Sequence, residues 1–143
     1  MKQDDVVILK EIQKNTQMAM KAIDTLQDKV LDDEFLRQLS KQSLRYSEIH
    51  NEATDKLVEN DREGYHGNYW NDMMLKSGIH MKTAFNVSTG HLSEMMIQGS
   101  NRGITSMWKI MKHHQLASNT IMEIAEELVS FEENNVKRLR EFL

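Results

Sequence analysis

The sequence predicts an all-α protein, an antiparallel up-down bundle of four helices. Three observations carry that expectation. Proline, the commonest breaker of helix interiors, is absent from all 143 residues. Apolar residues recur at intervals of three and four over long stretches. The strict alternation that marks half-buried strands is missing throughout. Helices with one apolar stripe each bury those stripes against one another, and a chain of this length suits one domain, residues 1–143, with a core that needs no staples.

The first helix is expected at about 4–30. Leu9, Ile12, Thr16, Ala19, Ile23, Leu26 and Val30 form its stripe, and Asp4 and Asp5 sit where an N-cap and a first-turn acid stabilise a helix start. The second is expected at about 33–60, opened by Asp32 and Asp33, with Phe35, Leu39, Tyr46, Ile49, Ala53 and Leu57 facing inward. The short connection makes the two antiparallel neighbours. Residues 60–72, NDREGYHGNYWND, read as a loop that crosses one end of the bundle, with Tyr65, Tyr69 and Trp70 plugging that end.

A third helix is expected at about 70–114, long and kinked. Gly90 after Ser88 and Thr89, and the run Gly99-Ser-Asn-Arg-Gly103, are the two places where it could break. The spacing of Ile97, Ile104, Met107 and Met111 carries across the second and favours one continuous helix. The last helix, about 119–143, is opened by a capping-box match at Thr120 and Glu123. Its stripe is Ile121, Ile124, Leu128, Phe131, Asn135, Leu139 and Phe142. The acidic residues Glu123, Glu126, Glu127, Glu132 and Glu133 read as a solvated face, except that Glu127 and Glu132 border the stripe and either can turn inward.

Composition excludes several function classes. Without cysteine there is no disulfide, thiolate metal site or thiol catalysis. No apolar run approaches the roughly 20 residues of a membrane span, and the N-terminus lacks a signal-peptide pattern, so a cytoplasmic chain is expected. The net charge is −4, and residues 61–115, with six basic against four acidic side chains, are only weakly basic between acidic flanks. That is too little positive charge for a nucleic-acid surface.

The middle segment holds all six glycines, both tryptophans, five of six histidines and seven of eleven methionines. On a helix, His80, Ala84, Val87, His91, Glu94 and Gln98 share one face. His91 and Glu94, with His80 as neighbour, are the candidate ligands for a transition metal (iron, manganese or zinc), completed by Glu48, His50 or Glu127 from another helix. The bland alternative is a hydrogen-bonded seam between helices. Glu48 and His50 are two apart, so they diverge by about 200° and cannot share an ion. The methionines are simplest as flexible core filler, with an adaptive pocket or dimer face as alternatives. The small residues at 99 and 103 let another helix or a second subunit approach closely. Ser88 and Ser93 lie near His91, but no acid orients the imidazole, so no catalytic constellation emerges.

The run HLSEMMIQGSNRGI at 91–104 and the tail FEENNVKRLREFL at 131–143 resemble segments of a group of small bacterial proteins with a ferritin-like four-helix-bundle fold. The resemblance implies that fold and no activity. Ferritin-like di-iron sites use two Glu-x-x-His pairs. Here the only such pair is Glu63–His66, inside the glycine loop, while positions 91–94 run in the reverse order. The leading functional expectation is a non-enzymatic bundle acting through protein–protein association, as a homodimer or with a protein partner. A His/Glu metal binder is the alternative, and a carrier of a small apolar ligand the second.

Overall fold

The computed structural model describes residues 1–143, apart from the side chain of Trp70. The protein is all-helical. In order come α1 (Gln3–Gln27), α2 (Asp33–Glu59), α3 (Tyr69–Thr83), α4 (Thr89–His113) and α5 (Asn119–Leu139), closed by a 3-10 turn, Arg140–Phe142. No helix among the described residues is long and apolar enough to cross a membrane.

The apolar stripes form one core. Ile8, Leu9, Ile12 and Leu26 of α1 are fully buried with Phe35, Leu39, Ile49 and Leu57 of α2, Leu92 and Met107 of α4, and Leu128 and Leu139 of α5. Each such side chain contributes roughly 1.5–3 kcal/mol on leaving water. Two aromatic contacts tie α2 to the C-terminal segment: Phe35 stacks on Phe142 at 5.1 Å, and Tyr46 meets Phe131 edge-on at 4.8 Å.

Polar contacts fix the directions of the helices pair by pair. Gln13 Nε2 donates to Thr54 Oγ1 at 2.9 Å, and one turn on Thr16 Oγ1 meets His50 Nδ1 at 2.9 Å, so α1 and α2 run antiparallel. Asn15 reaches the Gly103 carbonyl while Asp4 reaches the His114 ring, so α1 and α4 also oppose each other. In the same way Ser93 Oγ donates to the Leu139 carbonyl at 2.5 Å and Gly103 lies against Glu132, opposing α4 and α5.

The long third helix predicted over about 70–114 is instead two helices. The break falls at residues 84–88, where Asn86 Oδ1 accepts the Ser88 N–H at 3.0 Å and Ser88 Oγ accepts the His91 N–H at 3.3 Å. These short polar side chains offer the backbone local partners in place of the helical ladder, and Ser88 becomes the N-cap of α4. The second glycine pair, 99 and 103, stays within α4.

The connection before α3 runs along α1. Tyr65 N–H donates to Gln13 Oε1 at 2.7 Å, Gly64 lies against Gln13 and Gly67 against Gln17, and Asp72 pairs with Lys21. Of the aromatics expected to plug an end, Tyr65 is half-buried and Tyr69 is exposed. The Trp70 side chain lies outside the described residues.

The start of α5 is capped from α1. Ser118, its N-cap, makes no side-chain cap bond, and Thr120 lies within the helix. Asp5, 4% exposed, accepts the Ser118 N–H at 2.7 Å and the Lys2 N–H at 3.0 Å, while Asp4 accepts the Leu116 N–H at 3.0 Å. Burial alone would raise the Asp5 pKa, but the backbone donors of Ser118 and Lys2 outweigh it and hold the carboxyl below its ordinary value. Because the native pKa is depressed, this stabilisation is present above the unfolded value and is lost as pH falls through the native one. Asp5→Ala is expected to lower stability near neutral pH by about 1–3 kcal/mol. Urea unfolding at neutral and acid pH checks it: the deficit should shrink on acidification below the usual aspartate range.

Candidate functional site

Residues from all four long helices meet at a single polar point inside the core. Glu132 of α5 is 1% exposed. Asn15 Nδ2 of α1 donates to Glu132 Oε1 at 2.9 Å, and also to the Gly103 carbonyl of α4 at 3.1 Å. The Tyr46 hydroxyl of α2 donates to Glu132 Oε2 at 3.1 Å, and Asn135 Nδ2 lies 3.5 Å from the phenol oxygen. No Lys, Arg or His among the described residues forms an ion pair with Glu132.

Electrostatics follow from that isolation. Burial raises the Glu132 pKa to about 7, and the hydrogen bonds from Asn15 and Tyr46 offset only part of the effect. Tyr46 is pushed well above its ordinary value, first by burial and then by the Glu132 charge. The phenol therefore remains a neutral donor while the carboxyl titrates near neutrality.

This point is the floor of a cleft of about 440 Å³ between α1, α3 and α4. Met18, Ala19, Ala22 and Leu26 of α1, Met74, Leu75 and Ile79 of α3, and Met95 and Met96 of α4 form its walls. Four charged residues also line it, Lys82 and Arg102 exposed and Glu11 and Lys14 half-buried, and Gln98, Ser100 and Ser106 add hydroxyl and amide groups. The volume falls within the range of small-molecule pockets. A second hollow between α4 and α5, around Trp108, is lined mostly by exposed side chains and contains no buried titratable group.

Glycines shape both floor and opening. A Cβ on Gly103 would come within 2.6 Å of Glu132 Oε2 and 2.9 Å of Asn15 Nδ2, so only glycine lets the α4 backbone sit on the carboxyl. The close approach anticipated for the 99/103 pair is thus made inside the chain at Gly103. Gly78 and Gly99 also line the cleft, and a Cβ on either meets nothing within 4 Å. They leave space where a side chain would stand.

The sequence-predicted ligands lie elsewhere. His80 is exposed on α3, and the 84–88 break separates it from His91. The His91 ring, in the first turn of α4, has Nε2 3.0 Å from the Lys82 carbonyl, and Glu94 is exposed. Of the suggested additional ligands, His50 bonds Thr16, while Glu48 and Glu127 both pair with Arg45. No group of three or more His, Cys, Asp or Glu side chains among the described residues is arranged to hold a metal ion.

Of the two glutamates bordering the α5 stripe, Glu132 turns inward and Glu127 stays outside. Tyr46 belongs to the predicted inner face of α2. Asn15 was readable as well: it falls three residues after Ile12 and four before Ala19, a polar residue on an apolar stripe.

No family model, curated protein or solved structure matches this chain.

Two outcomes are expected. A raised native pKa means that the folded protein holds a proton the unfolded chain releases between 4.5 and about 7, so wild-type stability falls as pH rises through that window. Glu132→Gln should match the wild type near the lower limit and exceed it by up to about 3 kcal/mol above the upper one, which urea unfolding at both ends checks. The glycines should respond with opposite sign. Gly103→Ala forces apart a buried, hydrogen-bonded carboxyl and amide that cannot swing away, for a net loss of about 1–2 kcal/mol. Gly99→Ala, with open space before it, should gain roughly 0.5–1 kcal/mol from helix propensity. Denaturant midpoints of the two variants decide it.

Proposed function

We propose that this chain is a non-enzymatic binding protein. It holds a small, largely apolar organic molecule in the cleft between α1, α3 and α4, with a polar group of the ligand at Glu132. The observation that carries this reading is the cleft itself, apolar-walled and floored by one buried carboxyl near its protonation midpoint. Pockets of this kind, mostly apolar with a few converging polar groups, are the ordinary form of small-molecule sites. The reading also gives the methionines a role, because Met18, Met74, Met95 and Met96 adapt to the shape of an occupant.

The fold proposed with it is a ferritin-like four-helix bundle of α1, α2, α4 and α5. The opposed helix pairs support this arrangement, and the 60–68 connection with α3 serves as the long crossover. In ferritin-like proteins the region between the four helices holds ligand chemistry; here its single carboxyl suits an organic group better than an ion.

A second reading, association with another protein or a second copy, has its own support. Tyr69, Met73, Met74 and Met81 on α3, and Phe85 beyond it, are exposed large apolar residues within one short segment. Light scattering across a concentration series separates a dimer from a monomer.

The direct test of ligand binding uses N-phenyl-1-naphthylamine, a neutral probe that fluoresces on leaving water. Saturable binding at one site per chain is expected, weakened at least about tenfold in Gly99→Leu, whose side chain would occupy the open space. Absence of saturable binding, or equal affinity in the variant, would overturn the reading.

A further inference from the structure

We propose that the cleft selects an organic monoamine, in which one protonated primary or secondary amine on an apolar body donates to the Glu132 carboxylate. The inference rests on the ligand-binding reading above and names the chemical class of the occupant.

Glu132 has unfilled acceptor capacity. An ionised carboxylate offers about four lone-pair sites. Glu132 uses one on Asn15 and one on Tyr46, both neutral donors. Its charge has no cationic partner among the described residues. A buried, unpaired carboxylate is costly, and an ammonium group arriving from the cleft supplies both the missing charge and further donors.

Competing head groups fare worse at the same floor. An alcohol can donate one hydrogen bond but leaves the charge uncompensated. A carboxylate ligand would set two like charges together and require a shared proton. Tyr46 remains a neutral phenol whose hydroxyl already points at Glu132, so it does not compete for the amine; the other acid lining the cleft, Glu11, is half-buried on α1 and makes no contact with this polar point.

The walls and the rim define the rest of the ligand. Met18, Met95 and Met96 favour an alkyl or aryl body behind the amine. Among the charged lining residues, Lys14, Lys82 and Arg102 outnumber Glu11. Lys82 and Arg102 are exposed and screened, and the half-buried Lys14 has the half-buried Glu11 one turn before it on α1, so together they oppose a lone cation at the floor only weakly. A second ammonium held at the rim would meet them directly, which selects a monoamine over a diamine of similar length.

The test compares three ligands with one body, 4-phenylbutylamine, 4-phenylbutan-1-ol and 4-phenylbutyrate, by calorimetric titration at mildly alkaline pH. Wild type, Glu132→Gln and Gly99→Leu are used, each first checked for a cooperative melt. The expected result is that the amine binds wild type at least about tenfold more tightly than the alcohol, with the acid weakest. In Glu132→Gln the advantage of the amine should fall to about twofold or less while the alcohol is little changed, and Gly99→Leu should weaken all three. If alcohol or acid equals the amine in wild type and Gly99→Leu still blocks binding, the amine class is wrong and the cleft reading stands. If the amine is preferred to the same degree in Glu132→Gln, the assignment to this carboxyl is wrong. If none of the three binds, the amine proposal falls, and the cleft reading falls with it only when N-phenyl-1-naphthylamine also fails to bind.

Discussion

The burial of one carboxyl sets the register of the whole molecule. Glu132 of α5 is reached by Asn15 of α1 and Tyr46 of α2, and it rests on the backbone of α4 at Gly103. An unsatisfied buried polar group costs about 1–3 kcal/mol, and more when charged. Sliding any of these helices by one turn would strand the carboxyl, whereas the aliphatic stripes around it tolerate such a shift far better. The apolar core supplies most of the stabilisation, and the polar point chooses among the packings that core would accept. The two caps at the chain's ends work in the same sense. Asp5 fixes the start of α5 against α1, and Ser93 holds the Leu139 carbonyl against α4.

The cleft is a consequence of how that point is assembled. Gly103 draws α4 toward Glu132, while Ala19, Ala22, Gly78 and Gly99 leave room above it. α3 forms one wall, held by the Lys21–Asp72 pair and by Ile79 in the core. The carboxyl is therefore buried yet borders a space whose lining includes the short helix α3. Desolvation at that depth raises the Glu132 pKa to about 7, and perturbed carboxyls beside clefts are common at functional sites.

Much of the fold was legible in the sequence, because helix type and existence depend on local spacing. The stripes of α1, α2 and α5 fall where three-four periodicity puts them. The division of the third segment depended on a competition that periodicity does not register. Glycines 99 and 103 look like the weaker link by propensity, yet packing on Glu132 holds the helix together there. Asn86 and Ser88 break the chain because their side chains satisfy nearby N–H groups. The site was legible only in pieces. Glu132 at the edge of its stripe, Asn15 on another and Tyr46 on a third are each unremarkable, and their meeting depends on three-dimensional register. The histidine-and-glutamate stripe had the opposite fault. It needed an unbroken helix through residues 84–88 to keep His80 in line with His91, and the chain is not helical there.

α3 links the two functional readings physically. Its inner side, through Leu75, Gly78 and Ile79, borders the cleft, and its outer side carries the exposed Met73 and Met81, with Phe85 just beyond. A helix of 15 residues is marginal by itself in water, so its order comes from what packs on it. An occupant of the cleft adds contacts on the inner side, and a partner adds them on the outer. Were both present, each would stabilise the same ordered segment, and thermodynamic reciprocity would make each favour the other. The two proposals would in that sense meet on one helix, the small molecule on its inner side and the partner on its outer.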